Sequence, residues 1–446
     1  MISSWRRKRA NRGGARGEGG SKKKPTELII PNHFRCPISL DIMKDPVTLS
    51  TGITYDRESI EKWIDAGNVT CPMTKQVLKS LEPIPNHSIR SMIQDWCVEN
   101  KSYGVERIPT PRVPISSDEV GSVLEKISKT QTPQECRELV EKISKEMKQS
   151  ERNKKCIVAN GVGKTLALAF QSFADNEDEI VISLLEEIMI VLSSITPFES
   201  EAEVSLRSPK SLERLVWFLK RGDLSRRRNA ILILKELISS HKDDQETVVD
   251  KLTESEEAMD ELVKLIKEPI CLSSTKASLV IIYNMITPYI ISLNKGVIIG
   301  KFIEMGLVTS ILDILVNADK SICEKALGVL DGLCRSEKGR EAAYNHALTV
   351  PVVVKKILRV SDLATEFSVS ILFRLCENEK RENGGVIVEA LQVGAFQKLL
   401  LILQVGWNIN ERTKEKVTKL LKLLNLCRDK VECIESTDFK DLKRPF

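Results

Sequence analysis

The sequence predicts a mostly α chain, built as a small α+β unit near the N-terminus followed by a long solenoid of stacked helices. Three observations lead there. Apolar helix cores recur along most of the chain at a nearly constant period. A proline-bearing segment sets that region apart from what precedes it. The first hundred residues carry loop, hairpin and helix signals in an order the rest lacks. A length of 446 residues supports more than one folding unit. Aromatic residues are only 5% while Leu, Ile and Val abound, which favours packed helices over sandwiched sheets.

Residues 1–27, rich in Arg, Lys, Gly and Ser, bury too little apolar surface to offset the entropy of ordering, and are read as a disordered basic tail. Residues 1–24 hold nine basic side chains against Glu18, a net of +8, so the overall charge of +5 leaves a body of −3. A mildly acidic body is a poor nucleic-acid binder, because neutralising phosphates takes clustered basic side chains on a folded surface. No nucleic-acid partner is expected. Arg6-Arg7-Lys8-Arg9 followed by Lys22-Lys23-Lys24 suits a solvated tail, a bipartite import signal or attraction to an anionic membrane surface.

Residues 28–103 read as the α+β unit. Cys36-Pro37-Ile38-Ser39-Leu40 is a loop, Asp45-Pro46-Val47-Thr48-Leu49 a β-like stretch, and Thr51-Gly52 a hairpin turn. Asp56 stands at an N-cap position, ahead of a helix that aligns Ile60, Trp63 and Ile64 and stops at Gly67. A second loop, Cys71-Pro72-Met73-Thr74, precedes Pro83-Ile84-Pro85-Asn86. A last helix from about Ser88 places Ile89, Met92, Ile93 and Trp96 on one face.

Pro109, Pro111 and Pro114 make residues 104–116 a semi-rigid linker. Residues 117–430 then read as helices. Val120, Val123, Leu124 and Ile127 share one face; Thr132-Pro133-Gln134-Glu135 carries an N-cap Thr, a first-turn Pro and a capping-box Glu, with Leu139, Ile143 and Met147 beyond. Apolar cores begin at Leu215, Leu262, Ile311, Val354 and Leu399, spaced by 47, 49, 43 and 45 residues. After each comes a second helix with a small residue at Ala230, Ser278, Ala326 and Ser368, or Val417 in the last. The first four of these close on the apolar pairs Leu237-Ile238, Met285-Ile286, Leu333-Cys334 and Leu375-Cys376. Helical repeats of this length are the mark of armadillo or HEAT solenoids; an irregular helical bundle is the alternative. Residues 431–446 form a C-terminal tail.

Eleven scattered cysteines, none spaced as a Cys-x-x-Cys pair, suit a reducing compartment. With no apolar run of spanning length and no signal peptide, no transmembrane segment is expected and the expected location is the cytoplasm. A structural zinc takes four paired Cys or His ligands, whereas residues 28–103 offer Cys36, Cys71, Cys97, His33 and His87 with no pairing. No metal and no cofactor are expected. The loops must be held by polar side chains, for which Asp41, Asp45, Tyr55, Asp56, Arg57 and Asn86 are suited. Cys36 and Cys71 precede prolines with no nearby His, so neither resembles an activated nucleophile. Gly161-Val162-Gly163-Lys164-Thr165 lacks the earlier glycine of a phosphate-binding loop, since Val158 stands there, and Leu166, Leu168, Ala169 and Phe170 continue a helix. His241 and His346 are isolated in turns between helices.

Ile30-Pro-Asn-His-Phe-Arg-Cys-Pro-Ile-Ser-Leu40, Asp45-Pro-Val47, Gly52-Ile-Thr-Tyr-Asp-Arg57, Ile60-Glu-Lys-Trp-Ile64, Cys71-Pro72 and Ile84-Pro-Asn86 together resemble the U-box, and the whole chain resembles plant U-box proteins with armadillo repeats. That resemblance implies a zinc-free relative of RING domains and a ubiquitin ligase. Its U-box would bind a ubiquitin-charged conjugating enzyme and its repeats a protein substrate, with no covalent ligase intermediate. By position it assigns Ile38 and Leu40 on the first loop, Trp63 on the helix and Pro72 on the second loop to the conjugating enzyme. Lys75 stands where relatives often place a basic residue that contacts the loaded partner; here it is an ammonium rather than a fork of directional donors. Relatives often act in stress and immune signalling. A non-enzymatic armadillo scaffold with an inactive U-box is the competing class. Import receptors of this fold pair groove asparagines with tryptophans, and Asn229 and Asn284 have none.

Overall fold

A computed structural model describes residues 30–108, 114–240, 245–287, 295–379, 385–404 and 410–427. The basic tail, Pro109, Pro111, His241 and the C-terminal tail lie outside these residues. Two compact units, Met1–Val113 and Pro114–Phe446, divide the chain.

The first unit has a three-stranded antiparallel sheet of β1 (Pro46–Thr48), β2 (Thr54–Asp56) and β3 (Ile84–Pro85) in the order β2-β1-β3. Gly52, at φ +78°, turns the β1–β2 hairpin, a conformation in which any side chain would be strained. In the pair Ile84–Pro85 the proline lacks a ladder donor. The structure seats the pair at the sheet edge, and the next residue supplies the bond: Asn86 N–H donates to the Pro46 carbonyl at 2.8 Å. Helix α1 (Arg57–Asp65) follows β2 directly and α2 (His87–Glu99) follows β3. Asn86 caps α2 by accepting from Ile89 N–H, and its amide donates to the Thr48 and Thr54 hydroxyls, joining sheet to helix. Met43, Val47, Tyr55, Ile60, Ile93 and Cys97 form the core. Met92 departs from its expected place on the apolar face of α2: it is half exposed, and Cys97 takes the buried register instead.

The second unit is an α-solenoid. After α3 (Ser117–Lys129) and α4 (Pro133–Gln149) come six helical triplets. They are α5–α7 (Glu151–Ala159, Val162–Phe173, Glu179–Ser194), α8–α10 (Ser200–Leu206, Pro209–Arg221, Leu224–Ser239) and α11–α13 (Gln245–Thr253, Glu256–Lys267, Leu272–Ile286). The rest are α14–α16 (Lys295–Glu304, Leu307–Asn317, Lys320–Leu333), α17–α19 (Glu337–Tyr344, Thr349–Lys356, Asp362–Glu377) and α20–α22 (Gly385–Gln392, Ala395–Gln404, Glu411–Leu426). Third helices stack on one another from α4 through α22. The repeat therefore holds three helices where sequence periodicity shows two. The extra first helix is short, down to seven residues in α8, too few turns to display an amphipathic period. One triplet, α5–α7, also precedes the first repeat read from sequence.

Ala230, Ser278, Ala326, Ser368 and Val417 are all fully buried in third helices, as are the apolar pairs that close those helices to within a few per cent. Small side chains there let the ladder close up. Of the two glycines in third helices Gly332 is the tighter, since an added Cβ would lie 2.7 Å from Ile286 Cδ1. One local expectation changes. Thr132 occupies the N-cap of α4, but its hydroxyl donates to the Glu135 carboxylate at 2.7 Å instead of accepting a backbone N–H. Leu166, Leu168, Ala169 and Phe170 all lie in α6, as expected, with Leu168 half exposed. Gly161 is the left-handed N-cap of α6, so the glycine-lysine segment is a helix junction. Among the described residues no single helix is long and apolar enough to cross a membrane.

Candidate functional site

The two cysteine-proline loops of the first unit have the same backbone. Cys36 N–H donates to Asp41 O and Cys71 N–H to Gln76 O, both at 2.8 Å. Leu40 N–H donates to Cys36 O at 2.8 Å, and Lys75 N–H to Cys71 O at 2.9 Å. One isolated bridge closes each loop, Arg35 to Ile42 and Thr70 to Val77. Each bends through a left-handed residue four positions after its cysteine, Leu40 at φ 62° and Lys75 at φ 60°. Outside glycine that conformation costs roughly 1–2 kcal/mol, so the surrounding bonds must hold it.

The signal was in the sequence, as the duplicate Cys36-Pro37-Ile38-Ser39 and Cys71-Pro72-Met73-Thr74, but sequence reasoning did not use it. Its consequence is that Met73 is the counterpart of Ile38, and Lys75 of Leu40. Ile38 is 39% exposed, Leu40 67% and Met73 60%, while both cysteines are fully buried. Each loop thus turns its thiol inward and its apolar tip outward.

Inside, the thiols act as acceptors. Burial pushes Cys36 up, but the amides of Ser39, Asp56 and Ile38 and the Ser39 hydroxyl outweigh it and leave the thiol below its ordinary value. Burial acts likewise on Cys71, where the hydroxyls of Thr51, Thr74 and Tyr55 and the Thr74 amide bring it down to about 6. Tyr55 moves the other way, raised by burial and by its bond to Cys71. Tyr55 O–H and Cys71 Sγ share a 3.1 Å contact, in which the hydroxyl donates once the thiol is ionised. The same Tyr55 oxygen accepts Met73 N–H at 3.2 Å. Tyr55, fully buried on β2, is therefore the post on which the second loop hangs.

The expected polar set divides into separate groups. Asp56 does not cap α1 with its side chain; its carboxylate turns back to accept Lys44 N–H at 2.7 Å and Asp45 N–H at 2.9 Å. Burial raises the Asp56 pKa against those two donors. Arg57 Nε pairs with Asp45 at 2.6 Å and its guanidinium lies 3.6 Å from Glu61. These three residues tie the end of the first loop to the start of α1. Asn86 works apart from them, at the sheet and α2. Asp41 joins neither group: its side chain is exposed, and its backbone carbonyl closes the first loop.

Trp63 binds α1 to the second loop by donating its indole N–H to Thr70 O at 2.8 Å. Lys75 Nζ lies 5.9 Å from the centre of the Trp63 ring, within cation–π range. Among the described residues no group of three or more His, Cys, Asp or Glu could hold a metal. Both thiols lie inside the unit, fully buried.

Residues 30–102 match the U-box domain, and residues 119–444 match the plant U-box protein ARM repeat region. The chain belongs to the plant U-box family of ubiquitin ligases. U-box domain-containing protein 21 of Arabidopsis thaliana is 44% identical, with 94% of each chain covered. Two further relatives from that plant are E3 ubiquitin-protein ligases PUB23 and PUB22, 36% and 33% identical, with 89% of this chain covered in both and 93% and 94% of theirs. In this U-box the matched loops put Ile38, Leu40 and Met73 at the surface and hold Trp63 and Lys75 side by side; Pro72 is half buried at the head of the second loop.

Proposed function

We propose that the U-box docks a ubiquitin-charged conjugating enzyme on the tips of its matched loops. Ile38, Leu40, Pro72 and Met73 form the apolar contact, with Trp63 beneath the second loop and Lys75 at its edge. The armadillo array binds the substrate protein. Ubiquitin then passes from the conjugating enzyme's thioester to a substrate lysine with no covalent ligase intermediate. The rate gain comes from holding thioester and amine together and restraining the donor.

The observation that carries this reading is the loop pair: left-handed, non-glycine backbone on both loops, with exposed apolar tips over buried polar anchors. Strain of that kind persists only where surrounding structure imposes it, and it gathers at binding sites. The cytoplasm is the proposed location.

The test is self-ubiquitination by the purified full chain with activating enzyme, conjugating enzyme and ATP. Ile38→Ala or Pro72→Ala should abolish chain formation while leaving the helical circular dichroism unchanged. Met73→Ala should lower it as well, by the equivalence of the loops. Full activity in both Ile38→Ala and Pro72→Ala would remove this site. Absence of chains from the unaltered protein across a panel of conjugating enzymes would make it a scaffold.

A further inference from the structure

The third helices of the last three repeats bring together a cationic site that the U-box reading does not use. At its centre is Asp331 on α16, only 4% exposed. Two guanidinium groups lean on it from different repeats: Arg335 Nη2 at 3.4 Å, two residues past the end of α16, and Arg374 Nε at 3.3 Å from α19. Each contact is long and uses one nitrogen, whereas a guanidinium offers five N–H donors in a planar fork. The carboxylate therefore orients both groups without saturating them. Both arginines remain about a third exposed, at 34% and 28%. Lys416 on α22 adds a third cation. Its ammonium donates to Ser370 Oγ on α19 at 2.8 Å, and it feels Asp331, Arg374, Arg335 and Glu366.

Three cations from three repeats face one buried carboxylate, and Glu366 is a second acid whose charge reaches Lys416, which leaves a surplus of one positive charge. Glu366 also accepts the backbone N–H and side-chain amide of Asn410. One turn before Asp331 on α16 lies Gly328, where the Tyr283 and Phe367 rings meet with centroids 6.1 Å apart. The cations thus border an aromatic surface made by α13 and α19. A polyanion such as RNA needs an extended basic track; a compact cluster beside aromatic rings fits a peptide bearing charge and apolar groups together.

We infer that this face of α16, α19 and α22 binds an acidic polypeptide segment, with an Asp or Glu carboxylate on Arg335, Arg374 and Lys416. The inference rests on the reading that the array binds protein and gives that partner a chemistry. A planar carboxylate matches the free edges of the two forks, and its charge matches the surplus.

The test is fluorescence anisotropy with the full chain, in the absence of conjugating enzyme, using two labelled peptides. One is a mixed Asp/Glu/Leu decapeptide; its twin has Asn and Gln in place of the acids. The acidic peptide should bind at least about tenfold tighter than its twin, as expected for charge-assisted bonds of a partly desolvated site. Added salt should weaken it. Arg374→Gln leaves Asp331 less compensated and can disturb folding, so Lys416→Ala is the companion variant, since it leaves both Asp331 pairs in place. It too should weaken the acidic peptide severalfold. Equal binding of the twins overturns the acidic preference and leaves protein docking on the array intact. Undiminished binding in Lys416→Ala overturns the location. No binding of the acidic peptide overturns the inference, and chain formation by the same preparation reports separately on the U-box reading.

Discussion

Tyr55→Phe is the sharpest probe of how the U-box holds its loops. The ring is fully buried and stays in place, so no cavity larger than one oxygen appears. What leaves is the hydroxyl that contacts Cys71 Sγ at 3.1 Å and accepts Met73 N–H at 3.2 Å. A lost hydrogen bond costs about 1 kcal/mol, and a partly buried donor left without a partner costs about 1–3 kcal/mol more. About 2–4 kcal/mol is therefore removed from the second loop, and the sheet and first loop lose nothing. Hydrogen exchange with mass-spectrometric readout locates that loss in the full chain. Peptides spanning residues 70–77 should exchange roughly thirtyfold faster or more, at about tenfold per 1.4 kcal/mol. Peptides over α2 should keep their protection. Chain formation should fall only by the fraction of time the loop is open, and so by less than in Pro72→Ala. Unchanged exchange at residues 70–77 would refute Tyr55 as the post of that loop.

Two further outcomes follow from other parts of the chain. Gly332→Ala forces a Cβ to within 2.7 Å of Ile286 Cδ1 and 2.9 Å of its Cγ1, which should cost about 1–3 kcal/mol by overpacking; a melting curve followed by circular dichroism should shift downward, and an unchanged curve would show that the ladder yields freely there. Cys71 is depressed to about 6 from an ordinary value of 9.0. A depressed acid favours the folded state once ionised, so the opening free energy of the second loop should rise as pH climbs from about 6 toward 9 and fall as pH drops through 6. Exchange corrected for its intrinsic pH dependence measures this, and Cys71→Ser should flatten it.

Where a run of residues repeats its pattern over several turns, structure was legible. The apolar starts at Leu215, Leu262, Ile311, Val354 and Leu399 all fall in second helices, and the small residues from Ala230 to Ser368 all fall in third helices. Burial on one helical face leaves a period, and a period can be read. The short first helices leave none. α8 and α17 span two turns, held partly by long-range caps: Arg207 donates to Leu237 O at 2.6 Å, and Tyr344 to Leu375 O at 2.8 Å. Such partners are thirty residues away in sequence and cannot be seen locally. The same limit applies to Asp56, whose position says N-cap while its oxygen serves Lys44 and Asp45. It also explains the cationic site, where Asp331, Arg374 and Lys416 meet only because third helices stack.

In the U-box, polar groups replace metal in a particular way. A zinc ion would fix two loops by binding four ligands at one point. Here each loop folds around its own thiol, which collects N–H and O–H donors from its own turn and from β2. Asp56 and Tyr55, two residues of that one strand, then serve different loops: the Asp56 amide points to Cys36, and the Tyr55 hydroxyl to Cys71. A network of this kind is stable only when every member is satisfied. Loss of either residue therefore loosens the loop it serves, whereas loss at a loop tip removes only a contact surface. That separates residues whose substitution loosens a loop, such as Tyr55 and Asp56, from Ile38 and Met73, whose substitution leaves the loop standing without its partner.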